Sequence, residues 1–166
     1  MTDDSLAART HLRTDLNRLT VTAVIILLLL AGLAVVGAVL AVLAPDVRAA
    51  GTVGWIWLIQ GAVGVVLFLF LLVGLYRLRS SASAGDVPAA AWGPAVSACA
   101  AAPAVALVLL IGGIFFVVFR NIGGEADLDI AACGTLPLAP LLIWRVPAAI
   151  GRALGGLRAT ATPAGS

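Results

Sequence analysis

The sequence predicts an all-α membrane protein: a four-transmembrane-helix bundle running up-down-up-down, with both termini cytoplasmic and a short amphipathic cytoplasmic helix at the N-terminus. Three observations predict it. Of the 166 residues, 62% are hydrophobic and 11% charged, whereas a soluble domain carries about 25% charged residues. A globular core of this size would lack a charged shell. Four apolar runs divide the chain, each suited to crossing a hydrocarbon core of about 30 Å. Eight of the ten arginines fall on one side of those runs, the bias expected of a cytoplasmic face.

The same arithmetic excludes other classes. Disorder requires low hydrophobicity and high net charge, and neither holds here. A formal charge of +2 is too small to imply nucleic acid as a partner. Every basic side chain except His11 is an arginine, lysine is absent, and Ala, Gly, Val and Leu dominate. That usage points to a GC-rich bacterial genome and hence to a bacterial inner membrane.

Residues 1–19 carry Ala8, Leu12, Leu16 and Leu19 at helical spacing, with Arg9, Arg13 and Asp15 directed elsewhere. This segment either lies on the inner leaflet, its arginines near anionic headgroups, or prolongs the first span as a cytoplasmic helix. The first span is 20–44, free of charge, and too long for the roughly 7–15-residue core of a secretory signal. It is expected to be retained as an anchor. An outer loop at 45–51 leads to the second span, 52–76. A cytoplasmic connection at 77–94 contains RSSASAGDVPAAAWGP and reads as a flexible linker. The third span is 95–119, followed by an acidic outer loop at 120–127. The fourth, 128–150, is interrupted by Pro137, Pro140 and Pro147. Residues 151–166, rich in Gly, Ala and Thr, read as a loose cytoplasmic tail.

Orientation follows from Arg9, Arg13 and Arg18 before the first span, Arg77 and Arg79 after the second, and Arg145, Arg152 and Arg158 at the C-terminal end. Only Arg48 and Arg120 fall on the other side. Aromatic residues agree with these boundaries. Trp55, Trp57, Tyr76, Trp92 and Trp144 all fall near span ends, where an amphipathic ring is anchored at the headgroups.

Lipid tails are as apolar as leucine, so helices in a bilayer associate through close packing of small residues. Ala34, Gly37, Ala38 and Ala41 form such a stripe on the first span. Gly54, Gly61 and Gly64 do so on the second, and Ala95, Ala98, Ala102, Ala106 and Gly113 on the third. These stripes seat either neighbouring helices of the chain or a second subunit. The prolines of the fourth span remove backbone donors and leave carbonyls that need other partners within the membrane.

Chemistry is sparse. No ionisable group lies deep in a predicted span, which argues against a proton-coupled exporter, since that mechanism needs a membrane carboxylate. Gln60 is the most polar residue inside a span, and the expectation is a hydrogen bond to another helix. Cys99 and Cys133 fall near opposite membrane faces, too far apart for a disulfide. His11 stands alone, without metal-ligand spacing, and reads as a solvated side chain. Glu125, Asp127 and Asp129 alternate by two but lack the glycine and further ligands of a calcium loop. No nucleophile with a base and no phosphate-binding glycine loop can be assembled.

The sequence therefore leads to the expectation of a non-enzymatic accessory or scaffold subunit without cofactors or metal, whose partners are the lipid bilayer and a membrane protein or its own copies. The alternative is an oligomeric transport component or a phage-type pore former.

Overall fold

The computed structural model describes residues 3–43, 48–84, 87–121 and 130–161, and all regular structure among them is helical. The helices are α1 (Asp3–Leu43), α2 (Arg48–Ala84), α3 (Ala89–Asn121), α4 (Ile130–Thr135) and α5 (Leu138–Ala161). Four stretches are long and apolar enough to cross a membrane: Thr10–Leu43, Ala50–Ser83, Ala89–Phe119 and, across the α4–α5 break, Cys133–Ala159. The acidic run Glu125, Asp127 and Asp129 and residues 45–47 lie outside the described residues, while 48–51, expected in the first outer loop, belong to α2.

The distribution of side chains is that of a protein in lipid. Large apolar residues point outward: Phe70 is 67% exposed and Phe115 71%, in a band with Leu28, Val35, Val42 and Val108. In water a contiguous apolar surface beyond a few hundred Å² marks a contact with something apolar. A band on every long helix fits the hydrocarbon of a bilayer. Alanine and glycine line much of the interior instead, among them Ala95, Ala98, Ala102 and Ala106 of α3.

α1 and α2 form one continuous pair. On α1 the inward positions are Leu12, Leu16, Leu19, Ala23, Ile26, Leu30, Ala34, Gly37 and Ala41. They recur four and three apart in turn, except for two successive steps of four at Ile26, Leu30 and Ala34. On α2 a strict alternation of three and four joins Gly54, Trp57, Gly61, Gly64, Phe68, Leu71, Leu75, Leu78 and Ala82. A repeat close to 3.5 residues keeps one seam facing its partner along a whole helix, the geometry of coiled-coil packing. The register is unbroken. Ala41 sits beside Gly54, Ala34 beside Gly61, Leu30 beside Gly64, and Asn17 beside Arg79, whose Nη1 donates a 3.2 Å hydrogen bond to Asn17 Oδ1.

Several expectations change at the arginine-rich ends. The N-terminal segment is not a separate interfacial helix: α1 is unbroken over 41 residues, about 60 Å at 1.5 Å per residue. Leu16 is 1% exposed, packed in the core rather than laid on a leaflet. The connection at 77–94 is not a flexible linker, because α2 continues to Ala84 and α3 starts at Ala89. The tail is helical to Ala161, and Leu154 is fully buried. The second and third of these segments are rich in alanine, the strongest helix former, and each of the three sets an apolar residue against the core. α1, and α2 with 37 residues and about 55 Å, thus run past the roughly 40–45 Å of a bilayer with its headgroups. The core at the arginine-rich end includes Leu16, Leu78, Trp92 and Leu154.

α3 packs between α2 and α5, and α1 touches α5 only lightly. The α2–α3 contact is as close as that between α1 and α2: a methyl group on Gly74 would lie 2.6 Å from the Ala95 backbone nitrogen. On the other side of α3, Gly151 of α5 takes the Cys99 side chain, at 3.2 Å from where its Cβ would be.

Candidate functional site

A side-chain hydrogen bond between buried partners lies at the break between α4 and α5. Pro140 has no N–H, so the carbonyl of Leu136, four residues back, loses its helical donor. Pro137 does the same to Cys133. The next rung of the ladder is intact, with Leu141 N donating to Pro137 O at 2.9 Å. The carbonyl stripped by Pro140 is not left bare. Gln60 Nε2 of α2 donates to Leu136 O at 3.1 Å. In lipid an unpaired carbonyl costs several kcal/mol, and the side-chain amide supplies what the proline removes.

The apolar surroundings hold the same contact. Leu136 is 5% exposed and packs with Val53, Ile56 and Val117. A methyl on Gly113 would come within 3.2 Å of the Leu136 side chain, so the glycine of α3 provides the hollow that receives it. Gln60 is 2% exposed, and its Oε1 has no hydrogen-bond partner. Trp57 Nε1, one turn earlier on α2, is likewise buried without one.

Two clefts flank this point. One, of about 270 Å³, lies between α3 and α5 and is walled by Pro103, Pro137, Pro140, Leu107 and Trp144. The other, of about 280 Å³, lies between α2 and α3 and is lined by Ile56, Gln60, Leu109, Gly112, Gly113 and Phe116, among others. Both are almost wholly apolar; Gln60 is the one amide side chain in either.

The remaining candidate residues sort by their surroundings. Gly37, Gly54 and Gly61 lie directly at the α1–α2 contact: a methyl on Gly37 would meet Leu58 N and come within 2.7 Å of Gly54 O, and one on Gly61 would sit 2.7 Å from Ala34 N. Gly64 receives the tips of Leu30 and Ile143. Ala38 and Ala41 are half-buried, while Ala98, Ala102 and Ala106 are buried. Among the aromatics, Trp55, Tyr76 and Trp144 are exposed. Trp92 is not an exposed anchor: at 4% exposure it is part of the core, because α3 already begins at Ala89 and packs its first turn inward. Arg13, Arg18, Arg77, Arg145, Arg152 and Arg158 are exposed and Arg79 is partly so; the side chain of Arg9 lies outside the described residues.

Several hydroxyl groups of the long helices bond within their own helix. Thr14, Thr20, Thr22 and Ser83 each donate to the carbonyl four residues back. Both cysteines are free thiols, Cys99 buried and Cys133 exposed. Among the described residues no three His, Cys, Asp or Glu side chains converge as a metal site.

Sequence reasoning picked out Gln60 and the prolines but did not join them. The signal that joins them is chemical: a lone amide in one span and an unpaired carbonyl in another. The seam of α1 and α2 was also missed as a whole, because its two halves differ in residue type, leucine at one end and small residues at the other. Comparison with family models, with curated proteins and with solved structures finds no match.

Proposed function

We propose that this chain is a small multi-pass protein of a bacterial inner membrane, crossing it four times up-down-up-down with both termini cytoplasmic, and that it serves as a non-enzymatic accessory or scaffold subunit. The observation that carries this reading is the use made of the buried amide. Gln60, the most polar side chain within the spans, is engaged in repairing the broken fourth crossing. Its role is architectural. The threonine and serine hydroxyls that donate to their own helices give the same indication.

The helix ends support the second half of the reading. A pair of helices that runs past the bilayer in one register presents a stiff surface on the arginine-rich side, and Arg13, Arg18, Arg77, Arg152 and Arg158 are exposed there. Such a surface suits contact with another protein or with anionic headgroups.

Affinity purification of the tagged chain from its own membranes, followed by ion-flux measurement on the purified protein in liposomes, tests the reading. A stoichiometric partner and liposomes that stay tight, with wild type and Gln60→Leu alike, are expected. A homo-oligomer that leaks ions by itself would instead make the chain a pore former or transport component.

A further inference from the structure

We propose that the cleft between α2 and α3 at Gln60 binds an amphiphile dissolved in the bilayer, an alcohol-type molecule with an apolar chain and one free hydroxyl donor. This inference does not need the scaffold role but rests on the same membrane crossing by α2. It rests on four observations at one place.

First, Gln60 lines the cleft, is 2% exposed, and its Oε1 has no partner. Second, the amide cannot turn round. A carbonyl accepts only from a donor, so Leu136 O fixes Nε2 toward α4–α5 and leaves Oε1 on offer as an acceptor. The site therefore selects a donor, and a ketone, ester or ether of the same shape gains nothing there. Third, the α3 wall of the cleft is open at Gly112, which has nothing within 4 Å of where its Cβ would lie. Fourth, the size and lining suit a chain. The cleft holds about 280 Å³ between Ile56, Leu109 and Phe116, nearly twice the roughly 150 Å³ at which an engineered apolar cavity takes up benzene.

Depth sets the head group. Gln60 is eight residues into the second span from Thr52, about 12 Å from that end at 1.5 Å per residue. A charged phospholipid head is too costly to bring to that level of the hydrocarbon, whereas a single hydroxyl is cheap to bury once it is hydrogen-bonded. A fatty alcohol and the free hydroxyl of a diacylglycerol share this chemistry.

Photolabelling tests the proposal. The full-length protein in phosphatidylcholine vesicles is exposed to a diazirine-bearing long-chain alcohol, and labelled peptides of α2 and α3 are quantified. Saturable labelling around Ile56–Gln60 and Leu109–Phe116 is expected, competed by 1-dodecanol roughly tenfold better than by dodecyl methyl ether, the difference one hydrogen bond makes. Gln60→Leu should abolish the preference for the alcohol. Gly112→Leu, which fills the entrance where no neighbour opposes it, should abolish saturable labelling while the far-UV circular dichroism stays unchanged. Competition by fatty alcohol but not by diacylglycerol would assign the single-chain source, and competition by both would assign the hydroxyl alone as the recognised group. Non-saturable labelling spread over all lipid-facing peptides, or equal competition by alcohol and ether, would overturn the proposal.

Discussion

Replacing Gln60 by leucine tests the link between the amide and the broken crossing, and the expected size follows from counting unpaired groups. In the native chain Leu136 O is bonded and Gln60 Oε1 is unpaired. In Gln60→Leu the unpaired oxygen becomes Leu136 O. One unpaired acceptor replaces another, so the loss reduces to the hydrogen bond itself, about 0.6 and at most about 1.7 kcal/mol between helices in a membrane. Pro140→Ala changes that balance by returning an N–H to the carbonyl of Leu136 along the helix. In that background Gln60→Leu removes an unpaired oxygen and strands nothing, so its cost should vanish or reverse. The four proteins form a double-mutant cycle, measured by SDS-driven unfolding in mixed micelles and followed by circular dichroism. A coupling of about 1 kcal/mol is expected. Additivity within about 0.3–0.5 kcal/mol, the value for independent sites, would refute the assignment of Gln60 as the partner of the carbonyl Pro140 exposes.

Three further outcomes follow from the same packing. Gly37→Ala and Gly54→Ala should each destabilise by about 1–3 kcal/mol, the usual cost of overfilling a packed contact, because the added methyl meets backbone atoms. Gly32→Ala, with nothing within 4 Å, should instead stabilise by up to about 1 kcal/mol through helix propensity, as the same unfolding assay would show. Trp92→Ala should cost about 3–5 kcal/mol, the loss for a buried aromatic, while Trp144→Ala costs far less; equal losses would contradict the burial of Trp92. In native micelles a maleimide should label Cys133 quickly and Cys99 only after unfolding, read by mass spectrometry.

The apolar runs and the small-residue stripes were legible because both are local patterns in the chain. A charge-free stretch states its own length, and a glycine every three or four residues states which face comes close. What was not legible depended on the neighbour. The Ser/Ala/Gly composition after Arg79 reads as loose by itself, yet α2 continues to Ala84 because Leu78 and Ala82 have a core to enter. Trp92 lies near the end of the expected linker, just before the third span, and so reads as an anchor at the interface, but α3 starts earlier, at Ala89, and the ring is buried. Leu154 lies among glycines and alanines that suggest a tail, and it becomes buried only because α3 packs beside α5. The α4–α5 break was visible in Pro137 and Pro140, but its partner lies 76 positions away, beyond the reach of any local pattern.

Four crossings with the arginine-rich ends inside underlie both the architectural role and the depth of the Gln60 cleft. Reporter fusions that distinguish the two sides of the inner membrane measure this directly, placed after Gly85, after Gly124 and at the C-terminus. The account predicts cytoplasmic activity after Gly85 and at the C-terminus and periplasmic activity after Gly124. Periplasmic activity after Gly85, or the same side for Gly124 and the C-terminus, would contradict it.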